Sequence, residues 1–386
     1  MDLGPIALIC AAALLGPALS LCSRGAVPVV VGQLLAGVIL GRTGTRTIDA
    51  SKSDLVLLYD LGFAMLMFLV GMHVPLHDQR LRSALRRGAL ATSCSVPLAL
   101  GAGLLCHTLG GGPTLVYAVV IVSSSAAIAL PIIDENGLSG PPVLAAMAWI
   151  TIADVLATVV IPLVLAPARA PHAALGALIV AVLVTLVFLV VHRLAPVPLV
   201  RRARLQGKER GWAIDLRLSV VVLVSLAYLA QKVGASLLMA GFGTGLMVAA
   251  IGGPKRLSRE VLGLGQGFFV PLFFVLLGAK LDLRALGSSD RAIVLAALLA
   301  AGAIAVHVLA SMLIRAPRAI GLLASAQVGV PAAIIALGLP SHALNQAQAS
   351  AIFCAALASI AACSAGAALL RRADAASAPA GSEPCA

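Results

Sequence analysis

Runs of apolar residues, each about 20 long and separated by short polar punctuation, repeat from one end of the chain to the other. A helix needs about 20 mostly apolar residues to cross the hydrocarbon core of a bilayer. The pattern predicts thirteen such spans, at about 3–22, 26–41, 55–75, 88–109, 113–133, 141–166, 173–195, 214–231, 235–251, 263–281, 292–314, 318–339 and 347–370. Span one starts without a basic lead, and the small residues from Gly16 to Ser20 run straight into span two, so it is read as a retained helix rather than a cleaved leader. The predicted fold class is an all-α polytopic membrane protein.

Composition sharpens this. With 61% hydrophobic and 11% charged residues and a mean hydropathy of +1.06, the chain lies outside the range of soluble domains, in which about a quarter of residues are charged. The spans leave no room for a soluble catalytic domain. A net charge of +12 would point to nucleic acid in a soluble protein, but in a membrane protein it marks the loops on the inner side. With the N-terminus outside, inner loops hold nineteen of the 27 Lys and Arg and outer loops eight. The expected placement is therefore the plasma membrane, multi-pass, with the C-terminus cytoplasmic and no nucleic-acid partner. The basic run from Arg201 to Arg217 reads as a solvated cytoplasmic connector rather than a lipid-binding patch. The seven cysteines (Cys10, Cys22, Cys94, Cys106, Cys354, Cys363 and Cys385) show no paired metal-type spacing. Reduced, packing thiols and no bound cofactor are expected.

Spans seven apart resemble one another. Span two carries Gly32, Gly37 and Gly41, and span nine carries Gly241, Gly243 and Gly245. Span five contains Ser123, Ser124 and Ser125 ahead of Pro131, and span twelve contains Ser325, Gln327 and Gly329 ahead of Pro331. An odd offset inverts the second copy in the membrane, and paired broken helices in corresponding positions point to a transporter's midplane site. The glycine motifs alone equally serve close helix packing.

Of the fifteen acidic residues, only Asp154 sits in the middle of an apolar run. A carboxylate at that depth costs at least ~2.5 kcal/mol on insertion scales, so it normally faces a cavity and has a partner. Burial disfavours its charged form and a bound cation favours it. Proton and cation therefore compete for one group, which with alternating access is the minimum required for exchange. Thr151 and Thr158 lie three residues before and four after Asp154, on the same helical face. Their hydroxyls, and those of Ser123, Ser124 and Ser125 if span five unwinds there, are candidate oxygen ligands; back-bonding to the preceding turn is the competing reading for each. His307 is the other ionisable group deep in a span, a candidate partner for Asp154 or for broken-helix ends, or else a neutral packing residue. Asp60 and His73 read as interfacial.

The stretches Val27–Gly41, Leu61–Gly71, Ser123–Ala127 before Asn136 and Gly137, the Asp154 helix, Phe269–Gly278 and Gly321–Gly329 together resemble the monovalent cation:proton antiporters. The resemblance is to the second branch, which includes Kef-type potassium efflux proteins and related sodium/proton exchangers, and it covers nearly all of the membrane region. It implies the sodium/proton antiporter fold: thirteen helices in inverted repeats over residues 1–370, with two crossing broken helices. It further implies dimer-facing spans at about 1–87 and 214–281, a moving core at about 88–166 and 292–370, a linker helix at 173–195, and a homodimer. Asp154 looks like the essential carrier carboxylate, and His307, Gln327, Pro131 and Pro331 fall at the broken-helix crossing. The transported species are then a monovalent cation, Na+ or K+, and H+. Four positions depart from the family pattern: Ala153 stands where Asp, Asn or Gln is usual, His307 where many members have lysine, and Val328 and Val330 where Arg and Glu are usual. One carboxylate without a permanent lysine implies electroneutral exchange of one proton per cation. The short tail, 371–386, is no regulatory domain, so regulation would come from a separate chain.

Three other readings compete. An intramembrane protease finds fragments at Tyr59-Asp60 and around Ser139, without a second acidic motif or a buried nucleophile. A sodium-coupled organic-anion symporter would need an intramembrane Arg or Lys as the anion's partner. A sensor or channel-like subunit would keep the broken helices but exchange nothing.

Overall fold

The structure, a computed structural model, describes residues 3–23, 27–72, 79–165, 170–194, 197–233, 237–251, 255–287 and 290–377. Among these all regular structure is helical. In order the helices are α1 (Leu3–Ala13), α2 (Leu15–Cys22), α3 (Val29–Leu40), α4 (Ser53–Met72), α5 (Gln79–Gly110), α6 (Thr114–Val122), α7 (Ala126–Glu135) and α8 (Pro141–Leu165). They continue as α9 (Ala170–Leu194), α10 (Pro198–Glu209), α11 (Ile214–Lys232), α12 (Leu237–Ile251), α13 (Lys255–Leu264), α14 (Val270–Lys280) and α15 (Leu283–Gly287). The last are α16 (Asp290–Leu313), α17 (Arg318–Ala324), α18 (Gly329–Gly338) and α19 (Gln346–Ser377).

Within the described residues, each predicted span overlaps helix. Nine helical stretches among the described residues are long and apolar enough to cross a membrane, and Val29–Leu40, Leu178–Leu194 and Leu237–Ile251 are shorter apolar helices. Two interruptions have proline causes. Pro17 has no N–H for the Ala13 carbonyl, and span one divides at Leu14. Pro271 follows a wide turn of helix at Gly265–Phe269 that joins α13 to α14. The basic connector is not a plain loop, since α10 occupies its first half. The final helix also runs to Ser377, beyond the expected start of the tail. His73 and the tail from 378 onward lie outside the described residues.

The helices group into two compact units, Met1–Asp78 with Thr158–Asp290 and Ala332–Ser350, and Gln79–Ala157 with Arg291–Pro331 and Ala351–Ala386. In the first unit the glycine motifs bring backbones together. A methyl group on Gly37 would lie 2.0 Å from the Val275 carbonyl oxygen, and one on Gly278 would lie 2.2 Å from that of Leu34, so α3 and α14 interlock. One on Gly245 would lie 2.0 Å from the Phe68 oxygen, and one on Gly71 would lie 2.3 Å from that of Phe242, so α4 and α12 interlock in the same way. A seven-span offset maps the first pair onto the second, as an internal repeat requires. Phe63 and Tyr59 of α4 pack on Phe273 of α14.

The second unit holds α5, α6, α7, α16, α17 and the greater part of α8 and α19. Its helices also meet at glycines. Gly88 of α5 leaves room for the backbone at Trp149 of α8, with a methyl there 2.7 Å from the Trp149 nitrogen. Gly321 of α17 does the same for the His307 carbonyl of α16, at 2.5 Å. Spans five and twelve are each two helices: α6 stops at Val122 and α7 starts at Ala126, while α17 stops at Ala324 and α18 starts at Gly329.

Candidate functional site

The two breaks form where short polar residues interrupt apolar helix. Ser123 is extended (φ −70°, ψ 152°), and its hydroxyl donates back to the Val120 carbonyl at 2.8 Å, closing the end of α6. The prolines are not the break points. Pro331 falls in the first turn of α18, where a missing N–H costs nothing. Pro131 lies inside α7, past the break, and its side chain is outside the described residues.

A broken helix leaves amides at one new end and carbonyls at the other without helical partners, and at bilayer depth these need protein or a cavity. Asp154, 5% exposed, supplies the amide side. Its Oδ2 accepts the Ala126 N–H, the first of α7, at 3.2 Å. The carboxylate thus stands at a helix N-terminus, where aligned peptide dipoles favour negative charge. Gln327 supplies the carbonyl side: its Nε2 donates to the Ile121 carbonyl of α6 at 3.2 Å, while its buried Oε1 has no hydrogen-bond partner. The Gln327 N–H donates to Ser359 Oγ of α19 at 3.0 Å, and that hydroxyl donates to the Ala356 carbonyl at 2.7 Å.

The two breaks touch. Ser124 Oγ lies 2.5 Å from the Ala324 carbonyl oxygen, and a methyl on Gly329 would lie 3.8 Å from Ser125 Oγ. Ser123, Ser124, Ser125, Ser325, Gln327 and His307 are all fully buried or within a percent of it. His307 of α16 reaches the same crossing. Its Nδ1 is 2.8 Å from the Ala303 carbonyl, its Nε2 is 3.3 Å from Ser124 Oγ, and its ring stacks on Trp149 at 5.3 Å.

The sequence candidates therefore divide. Asp154, Ser124, His307 and Gln327 bridge elements at the crossing. Ser123 and Thr151 spend their hydroxyls on their own helices, Thr151 on the Met147 carbonyl at 2.8 Å. Thr158 is buried on α8 and Ser125 is buried at the start of α7. Two contributors were not among the candidates. Trp149 lies five residues before Asp154, and Ser359 is a single hydroxyl in the apolar run of α19; nothing in their local sequence distinguishes them from packing residues.

The competing fragments lie elsewhere. Tyr59 is buried against Phe273 with Lys280 Nζ 3.5 Å from its ring centre, and Ser139 is exposed in the turn between α7 and α8.

Helices that span a membrane, two of them broken and crossing beside a buried carboxylate, define a secondary transporter. Residues 10–371 match the family model described as sodium/hydrogen exchanger, transmembrane. An Na+/H+ antiporter of Enterococcus hirae is 24% identical over 295 residues, which cover 72% of this chain and 73% of that protein. The putative Na+/H+ antiporter YjbQ of Bacillus subtilis is 23% identical over 288 residues, 71% of this chain but 46% of that longer protein. The high-affinity Na+/H+ antiporter NhaS3 of Synechocystis is 25% identical over 273 residues, 67% of this chain and 57% of the relative. The structure of the sodium proton antiporter MjNhaP1 from Methanocaldococcus jannaschii superposes with a TM-score of 0.67 at 15% identity, covering 95% of this chain and 98% of that one. The fold is thus the sodium/proton antiporter fold. The chain belongs to the sodium/hydrogen exchanger transmembrane family, whose members are transporters and not enzymes.

Proposed function

We propose that this chain exchanges a monovalent cation, Na+ or K+, for protons by alternating access, with Asp154 as the group that both ions share. The observation that carries this reading is Asp154, the one buried carboxylate among the described residues, seated on the first amide of α7 at the break of a spanning helix. Deprotonated, Asp154 has the α7 N-terminus for one oxygen and offers a cation the other. Protonated, it is neutral and releases the cation. Either form is neutral overall at the site, so each crossing carries one proton or one monovalent cation, and the exchange moves no net charge.

The unit that contains the crossing, Gln79–Ala157 with Arg291–Pro331 and Ala351–Ala386, is the one we assign the moving role. The glycine-interlocked unit serves as the scaffold and the face of a homodimer, and α9, the linker helix of the expected architecture, lies within its Thr158–Asp290 stretch. The charge bias of the loops supports a plasma-membrane orientation with the N-terminus outside.

The test is cation-driven collapse of a pH gradient in inverted vesicles that carry the protein. Addition of sodium, potassium or lithium to wild type releases the gradient for at least one of them; no response to any of these at any pH tried refutes antiport. Variants sort the ligands in the same assay. Because the hydroxyls of Ser123 and Thr151 are bonded within their own helices, Ser123→Ala and Thr151→Ala are expected to retain exchange within about twofold, the effect of losing a local hydrogen bond of ~0.5 kcal/mol. A loss of a hundredfold in either would put that hydroxyl on the ion.

A further inference from the structure

His307 makes two polar contacts, and counting hydrogens across them fixes more than a packing role. Its Nδ1 lies 2.8 Å from the Ala303 carbonyl oxygen. A carbonyl only accepts, so Nδ1 carries a hydrogen. Its Nε2 lies 3.3 Å from Ser124 Oγ, and Ser124 Oγ lies 2.5 Å from the Ala324 carbonyl oxygen. That carbonyl also only accepts, and the serine has one hydrogen to give, so at this distance it goes to Ala324. With a neutral ring, Nε2 then presents a lone pair to the lone pairs of Ser124 Oγ. With one further proton on Nε2, every link has a donor and an acceptor: Nδ1–H to Ala303, Nε2–H to Ser124, Ser124 O–H to Ala324.

We propose that His307 is a second proton-binding residue, distinct from Asp154, and that Ser124 is the positioning residue that accepts the Nε2 proton and ties it to the break of span twelve. The step adds one proton to the Nε2 lone pair and one positive charge to the ring; no bond is broken. A charge at this depth needs compensation. The Trp149 ring stacked at 5.3 Å presents an aromatic face to it. The polarised chain from Nε2 through Ser124 to the Ala324 carbonyl spreads the charge further. Against His307 stand α8 through Trp149, residues 123–125 through Ser124, and α17 through the backbone at Gly321. The ionisable groups on them are Asp154 of α8 and Arg318 at the start of α17, and α16 itself carries Asp290 and Arg291 at its far end. The His307 bonds run to Ala303 and Ser124, so its proton acts on the crossing of the two broken helices. A protonated ring locks Ser124 between them, and a neutral ring frees Ser124 to turn from Ala324 towards Nε2, loosening span five from span twelve. Exchange at Asp154 remains one for one. The proposed consequence for transport rests on the antiporter reading; the protonation itself does not.

The test is direct. The full-length protein, labelled with nitrogen-15 in its seven histidines and reconstituted in lipid vesicles, is followed by solid-state NMR as the pH is lowered. His307 is the signal missing from His307→Gln. The expected result is Nδ1 protonated throughout and Nε2 gaining a proton as the pH falls. In Ser124→Ala the ratio of protonated to neutral ring at a given pH drops about tenfold, since the charged form loses its acceptor. Ser124→Thr, which keeps the hydroxyl, restores it and guards against a folding defect in the alanine variant. An Nε2 that stays bare over the whole range in which the protein remains folded overturns the proposal, and so does an unchanged titration in Ser124→Ala. The same titration is expected in Asp154→Asn. A chain that fails to exchange ions but still protonates His307 would sink the antiport reading alone.

Discussion

Asp154→Asn is expected to fold like wild type and to lose cation-driven collapse of a pH gradient altogether, a fall of a hundredfold or more in exchange. The substitution is close to isosteric, and the asparagine carbonyl still accepts the Ala126 N–H that Oδ2 accepts at 3.2 Å. The start of α7 therefore stays capped. What disappears is the negative charge: an amide takes no proton in this pH range and offers a cation a dipole in place of a carboxylate. Removing one anionic ligand from a desolvated site costs several kcal/mol, and ~2.7 kcal/mol already corresponds to a hundredfold. Asp60→Asn is the matched control, because Asp60 lies on α4 in the other compact unit, in the electrostatic reach of Lys280. Exchange retained in Asp154→Asn, or lost equally in Asp60→Asn, would move the ion site away from the crossing.

The second large effect is on stability. Gly245→Val is expected to destabilise the protein by about 3 kcal/mol or more, at the upper end of what forcing atoms into a packed interior costs. A methyl on Gly245 would lie 2.0 Å from the Phe68 carbonyl oxygen and 2.8 Å from the Met72 nitrogen. Both are backbone atoms of α4, so no side-chain rotation relieves the clash and the helices must separate. Between spanning helices it is close backbone contact, rather than exclusion of water, that holds the pair. Gly101→Ala is the contrasting case: nothing lies within 4 Å of its added methyl, and the better helix propensity of alanine stabilises by about 1 kcal/mol. Thermal unfolding in detergent, read by the loss of monodisperse protein, distinguishes the two. A Gly245→Val protein that melts with wild type would contradict the α4–α12 interlock.

Much of this architecture is legible in the sequence because a bilayer imposes a simple rule. Every span must be apolar for about 20 residues, so runs, their polar breaks and a lone acid in mid-run all stand out. The serine triplet at 123–125 and the segment 325–328 mark the breaks directly, since polar residues at that depth need a reason. Pro331 misleads slightly, because a proline is as comfortable in the first turn of a half-helix as at a break, and Pro131 does so from inside α7, past the break. The rest depends on distance across the chain. Ser124 and His307 are 183 residues apart in sequence, and no periodicity in either helix foretells that they meet. Thr151 and Thr158 share a face with Asp154, yet Thr151 satisfies itself on Met147, a choice that spacing alone leaves open. Ser359 and Trp149 act through single contacts inside otherwise ordinary apolar runs. The wide helical turn at Gly265–Phe269 is a backbone accommodation to Pro271 that composition cannot show.

The account stands on one carboxylate giving up its proton when it takes a metal ion. The most direct measurement is therefore proton release from the purified protein in weakly buffered solution on addition of sodium or potassium. At a pH where Asp154 is protonated, wild type is expected to release about one proton per chain as the cation saturates, and Asp154→Asn to release none. Saturable cation binding by wild type with no proton released at any pH would contradict the shared site.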